Sequence, residues 1–284
     1  MSDPFVRSSQ LGMACASTLL WLASAAQADA VTVAVAANFA GPMARIAEGF
    51  AAASGHTLKV STGSTGKFYS QILAGAPFEV LIAADDETPK KLIAEGHAVA
   101  GSNFTYAIGQ LVLWSAQPGY VDEQGAVLAA GKFNKLAIAN PKLAPYGRAG
   151  MEVIKAKGLT EALAPKLVTG ESIAQAYQFV STGNAELGFV ALSQVIGTAP
   201  PPAHDARLAG PMPQTPQPPR GPAAVSGLPV VGSYWRVPAH LYAEIRQDVV
   251  LLKPGEKSAA AAALLAYLKS APAQALIQAY GYGL

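Results

Sequence analysis

The sequence contains one cysteine, Cys15, among 284 residues. It lies in an N-terminal apolar run, so the chain beyond residue 28 has no thiol. This excludes disulfides, thiolate metal sites and a cysteine nucleophile there. Histidine is also scarce. His56, His97, His204 and His240 are the whole set, and none has metal-ligand spacing such as H-x-x-x-H. No G-x-S-x-G elbow occurs. Asp85 and Asp86 are adjacent carboxylates, but no base or nucleophile accompanies them, and a strand-end cap or solvated turn suits them better. The chain is therefore read as a non-enzyme, with no cofactor and no metal ligated directly by protein. It also lacks a dense basic patch interleaved with aromatics, and its net charge is only +2. Nucleic acid is not an expected partner.

What is present begins with a leader. "MSDPFVRSSQLGMACASTLLWLASAAQADA" has one basic residue, Arg7, then an apolar stretch, then small residues ending in "AQA". That is the grammar of a secretory signal peptide over residues 1–28, cleaved after Ala28. The apolar stretch is too short for a spanning helix. No later stretch is long enough to span a bilayer, so a soluble, exported protein is expected in the periplasm. Cys15 does not suit lipidation, because much of the apolar run follows it.

The body alternates. "VTVAVAA" is a β-branched run of strand length, and "GPMARIAEGFAAASG" is helical, with Pro42 suited to the first turn and Gly55 to the end. "HTLKVST", "EVLIAAD", "QLVLWSA", "KLAIANP" and "AELGFVAL" continue the strands. "GKFYSQILAGA", "ETPKKLIAEG", "GMEVIKAKG", "SIAQAYQFVSTG" and "SAAAAALLAYLKSAPAQALIQAYGY" continue the helices. Such alternation predicts an α/β fold, a parallel sheet with helices on both faces. Residues 198–229, "TAPPPAHDARLAGPMPQTPQPPRGPAAVSGLP", break the pattern. They are rich in proline and poor in large apolar residues, and are expected to form an exposed, poorly ordered insert.

In open α/β sheets, ligands bind beyond the carboxyl ends of the strands, where loops enter helices. Four junctions carry suggestive chemistry. They are "AANFAGP" with Asn38, "STGSTGK" with Ser64, Thr65 and Gly66, "NPKLAPYGRAG" with Tyr146, and "TGESIAQ" with Ser172 and Ile173. "STGSTGKFYSQI" looks like a phosphate cradle, yet it fails the G-x-x-x-x-G-K-[ST] pattern at Ser61 and Phe68. A helix N-terminus exposes unpaired N–H groups and a partial positive charge, which suits an anion. Ordinary capping explains each junction taken singly. The four together point to an anion site.

Six stretches give the chain a family likeness: "VAVAANFAGPM", "STGSTGKFYSQILAGAPFEVLIAAD", "NFTYAIGQLVLWSA", "LAIANPKLAPYGRAG", "NAELGFVALSQV" and "SYWRVPAHLYAEIRQDVVLL". With them, it resembles the periplasmic molybdate-binding proteins of ABC importers from Val31 almost to the end. The resemblance implies a type II periplasmic binding protein fold, with two Rossmann-like α/β lobes and an oxyanion in the cleft between them. It places lobe one at 29–108 plus 247–284 and lobe two at 109–246, with the 198–229 insert in lobe two. It implies a ligand set of Ala37, Asn38, Ser64, Thr65, Tyr146 and Ile173. The Asn38 amide and the Thr65 hydroxyl would act as donors, as would the backbone N–H groups of Tyr146 and Ile173. Where one branch of the family has a tyrosine after "GFV", this chain has Ala191. The implied ligand is molybdate or tungstate, and the implied partner an inner-membrane ABC permease. The protein is expected to be a monomer. Lys67 and Arg148 are expected to point outward and to steer the anion at most. Two other readings remain open: a receptor for another tetrahedral oxyanion such as sulfate, or a secreted enzyme on the same fold.

Overall fold

A computed structural model of the chain describes residues 28–196 and 232–284. The signal-peptide reading of residues 1–28, except Ala28, lies outside the described residues. So does the proline-rich insert at 198–229.

The chain opens with β1 (Ala30–Ala36), a one-turn 3-10 helix (Ala37–Phe39), α1 (Ala40–Ser54), β2 (Thr57–Gly63), α2 (Thr65–Leu73), β3 (Val80–Ile82), α3 (Glu87–Ala94) and β4 (Phe104–Gly109). It continues with β5 (Leu111–Ser115), α4 (Ala126–Ala130), β6 (Leu136–Ala139), α5 (Pro145–Ala156), α6 (Thr160–Leu163), β7 (Leu167–Gly170), α7 (Ile173–Ser181), β8 (Leu187–Ala191), α8 (Leu192–Val195) and β9 (Ser233–Arg236). It closes with β10 (Ile245–Leu251), α9 (Ala259–Leu268) and α10 (Ala271–Ala279).

These strands form two five-stranded sheets, ordered β2-β1-β3-β10-β4 and β7-β6-β8-β5-β9. Each sheet, with its helices, is one lobe. β1 runs parallel to β2 and β3, and β6 runs parallel to β7 and β8. The expectation of purely parallel sheets needs correction, because both are mixed. β10 lies antiparallel between β3 and β4, and β5 lies antiparallel between β8 and β9. The reason is connectivity. The chain passes from one sheet to the other between β4 and β5, with only Gln110 between them, and returns between β9 and β10. A strand entering from the other lobe need not follow a helical crossover, so it is free to pair antiparallel.

Each sheet is buried by its own core. In lobe one, Met43, Ile46 and Phe50 share one face of α1 and cover Val31, Val33 and Val35 of β1. α1 ends at Gly55, whose φ of 75° is the left-handed cap conformation that glycine adopts without strain. In lobe two, Trp114, Ile138, Val153, Ile154 and Phe189 form the core. The last apolar stretch reads as one helix but is two, bent by 58° after Leu268. Pro272 lies in the first turn of α10 and has no N–H to continue the α9 ladder.

Candidate functional site

Four junctions converge. The turn after β1, the start of α2 after β2, the start of α5 after β6 and the start of α7 after β7 line one small cavity. Its walls are Ala36, Ala37, Asn38, Gly63, Ser64, Thr65, Ala84, Ala144, Pro145, Tyr146 and Ile173. All six residues expected from the sequence lie on this wall, and among the described residues no charged side chain does.

The donors come mainly from helix starts. Thr65, Tyr146 and Ile173 are first or second residues of α2, α5 and α7. Their N–H groups have no carbonyl one turn earlier in the helix to bond. Pro145 sits at the first position of α5, where its missing N–H costs nothing, and so hands the first free donor to Tyr146. Ser172 is an ordinary cap, accepting from Gln175 N.

Ser64 and Thr65 differ. Ser64 is the residue before α2, yet its side chain caps nothing. It is 5 % exposed, and its Oγ has no hydrogen-bond partner among the described residues. A buried hydroxyl without a partner costs about 1–3 kcal/mol. Its position on the wall fits a site that holds an acceptor. Thr65 Oγ1 instead accepts from Ala84 N at 3.0 Å, which tethers α2 to the end of β3. Its own hydrogen remains available to donate.

Asn38 departs from expectation. Its amide was expected to reach the anion, but both N–H bonds of Nδ2 are used internally, to Gln247 Oε1 at 2.8 Å and to Tyr282 OH at 3.0 Å. Asn38 therefore meets the cavity through its backbone, and its side chain anchors the turn after β1. Its carbonyl oxygen is held too, accepting from Ser193 Oγ and Tyr282 OH, each at 2.9 Å. Gln247, Tyr282 and Tyr106 thus support the site, and sequence reasoning missed them. Burial lifts the Tyr106 and Tyr146 hydroxyls well above the ordinary phenol range and raises Tyr282 as well, so all three stay neutral. Ala191 is fully buried, outside the cavity wall, and its N–H is bonded to Gln194 Oε1.

The lobes touch around the rim. Gly66 N donates to Leu143 O at 2.9 Å. A Cβ at Gly66 would sit 3.0 Å from Leu143 Cα and 3.1 Å from Leu143 O, so glycine permits this approach. Lys67 pairs with Glu171 at 3.3 Å, and Arg148 pairs with Glu87 at 2.9 Å and with Asp85 at 3.7 Å. As expected, neither cation lines the cavity, but both are engaged in ion pairs between the lobes. Asp85 Oδ1 also accepts from Thr88 N, and Asp86 pairs with Lys90, so these carboxylates cap and brace the start of α3.

The comparisons agree with this geometry. The family model described as bacterial extracellular solute-binding protein matches residues 31–283. The chain is 56 % identical over 263 residues to the molybdate-binding protein ModA of Azotobacter vinelandii, covering 93 % of each. It is 46 % identical over 278 residues to ModA of Rhodobacter capsulatus, covering 98 % of each. The solved structure of an Azotobacter vinelandii periplasmic molybdate-binding protein superposes with a TM-score of 0.78 at 39 % identity, over 89 % of this chain and 99 % of that one. The chain belongs to the bacterial extracellular solute-binding proteins, alongside these molybdate-binding relatives.

Proposed function

We propose that the chain is the periplasmic molybdate-binding component of an ABC importer, and that it holds its ligand in the cavity between the lobes. The observation that carries this reading is a neutral wall of donors containing the unpartnered Ser64 hydroxyl. A tetrahedral dianion presents oxygens that only accept. Backbone N–H groups at the starts of α2, α5 and α7, with the Ser64 and Thr65 hydroxyls, can satisfy those oxygens. No counter-charge is buried, which avoids a large desolvation cost. Phosphate keeps a proton at neutral pH and needs an acceptor. Asp85, the carboxylate that follows the wall residue Ala84, lines neighbouring cavities and not this one. Tungstate has the same shape and charge and nearly the same size, so it binds too. The ligand set is Ala37, Asn38, Ser64, Thr65, Tyr146 and Ile173, with Ala37 and Asn38 contributing through backbone. Residues 1–28 act as the export signal, the protein works as a monomer, and it delivers its anion to an inner-membrane permease.

Calorimetric titration of the protein, begun at residue 29, with molybdate, tungstate, sulfate and phosphate tests the reading. The expected result is tight binding of molybdate and tungstate only. Binding of phosphate with equal affinity would overturn the donor-only site, and stronger binding of sulfate would reassign the ligand.

A further inference from the structure

Behind the cavity wall, one buried amide reaches both lobes. Gln247, on β10, is 0 % exposed. Its Oε1 accepts from Asn38 Nδ2 at 2.8 Å and lies 2.9 Å from Tyr106 OH. Its Nε2 donates to Tyr146 OH at 3.1 Å. The amide has one workable orientation, since turning it over would aim Nε2 at the Asn38 donor. Asn38 follows β1 in lobe one, and Tyr146 is the second residue of α5 in lobe two. Gly109, where the chain leaves lobe one, packs against this bond. Any Cβ there would collide with Tyr146 OH and Gln247 Nε2.

We propose that Gln247 is a positioning residue, setting Asn38 and Tyr146 at a fixed separation so that N–H groups from the two lobes converge on one anion. The proposal rests on the oxyanion reading above. Gln247 does not line the cavity. It acts through the turn after β1 and the first turn of α5. Because Tyr146 contributes its backbone N–H to the site and its hydroxyl to Gln247, one residue links the donor to the brace. A brace across the lobes favours the closed arrangement, so its loss speeds anion release more than it slows capture.

The test uses Tyr146→Phe, Gln247→Met and the double variant, with molybdate titration, release rates and the melting temperature of the ligand-free protein. Tyr146→Phe removes only the hydroxyl and leaves the backbone N–H in place. It is expected to weaken molybdate binding by about three- to tenfold, mostly through faster release. Gln247→Met keeps the length and removes every hydrogen bond, so it is expected to weaken binding at least as much. On that background Tyr146→Phe adds less than it does alone, because its bond to Gln247 is already broken and only its bond to Tyr282 remains to be lost. A purely structural role predicts a lower melting temperature with unchanged affinity. Unchanged affinity in Tyr146→Phe, or effects that multiply in the double variant, would overturn the proposal. If Gln247→Met does not fold, Tyr146→Phe alone decides. A parent protein that binds none of the four anions overturns the functional reading and this proposal with it. A parent that binds while both variants match it overturns this proposal alone.

Discussion

The hydroxyl of Thr65 accepts a hydrogen bond from the backbone N–H of Ala84 at 3.0 Å, in a site where Thr65 is 1 % exposed. The residue thus serves the fold as well as the proposed site. Thr65→Val leaves the Ala84 N–H buried without a partner, at a cost of about 1–3 kcal/mol to the ligand-free protein. It also removes a hydroxyl donor from the proposed anion site. Thermal scans of the ligand-free variant are expected to show a clear drop in melting temperature alongside weaker molybdate binding. Thr65→Ser keeps the acceptor and the donor, and is expected to stay near the parent in both. An unchanged melting temperature in the valine variant would contradict the tether.

Ser64 separates the two roles cleanly. Its Oγ has no partner among the described residues, so Ser64→Ala breaks no bond in the free protein. The ligand-free melting temperature should hold or rise. Molybdate affinity should fall by roughly ten- to a hundredfold, the usual worth of a hydrogen bond to a charged group. If calorimetry finds the parent affinity in this variant, Ser64 is not a ligand.

Asp85 gives the protein a pH-dependent term. Burial raises its carboxyl above the ordinary 3.8, and the Thr88 hydrogen bonds and the Arg148 charge offset this only in part. The folded chain holds this proton more tightly than the unfolded chain. Its contribution to stability is therefore complete below the unfolded value and is lost as pH rises through the folded one. Asp85→Asn keeps an acceptor for Thr88 N and removes the buried charge. Its melting temperature should exceed the parent's at neutral pH, with the gap closing toward pH 4. A constant gap across that range would exclude Asp85 as the titrating group.

Ligand-linked stability offers a direct screen. A ligand that binds only the folded state adds about 4 kcal/mol at a thousandfold excess over its Kd. Molybdate and tungstate should raise the melting temperature, and phosphate at equal concentration should not.

The rim ion pairs should matter little for stability. The Lys67 and Glu171 side chains are 54 % and 73 % exposed, where such a pair contributes about 0–1 kcal/mol. Lys67→Ala is expected to leave the melting temperature nearly unchanged and to reduce the salt dependence of anion association. A large loss of stability would mean that this pair holds the lobes together.

Local pattern carried the strand–loop–helix junctions well. Val31 to Ala37 alternates with the stretches that follow in a way that places Ala37, Ser64, Tyr146 and Ile173 after strands, two in each sheet, and these exits from the two sheets line one cavity. What local pattern cannot carry is pairing at long range. Asn38 and Gln247 are 209 residues apart in sequence and 2.8 Å apart in space. Nothing around either residue announces the other. The same blindness hid the antiparallel entry of β10, since a strand's direction is set by where the chain returns from. The Asn38 amide was assigned to the anion because a polar side chain at a strand exit has no visible alternative partner in sequence. The break between α9 and α10 was legible in principle, from Ser270 and Pro272, but the continuous alanine-rich pattern on both sides outweighed it.

Asn38 belongs to the first strand's exit, and the hydroxyl that fixes it comes from Tyr282, 244 positions later. A ribosome builds the cavity's first wall early and the residue that pins it last. Lobe-one strands made at the start must wait for nearly the whole chain before the turn after β1 is pinned from behind. Contacts of such sequence separation form late and slowly. A partly synthesised or truncated chain can therefore hold folded segments and still lack the pinned cavity wall, which ties completion of the proposed site to completion of the polypeptide.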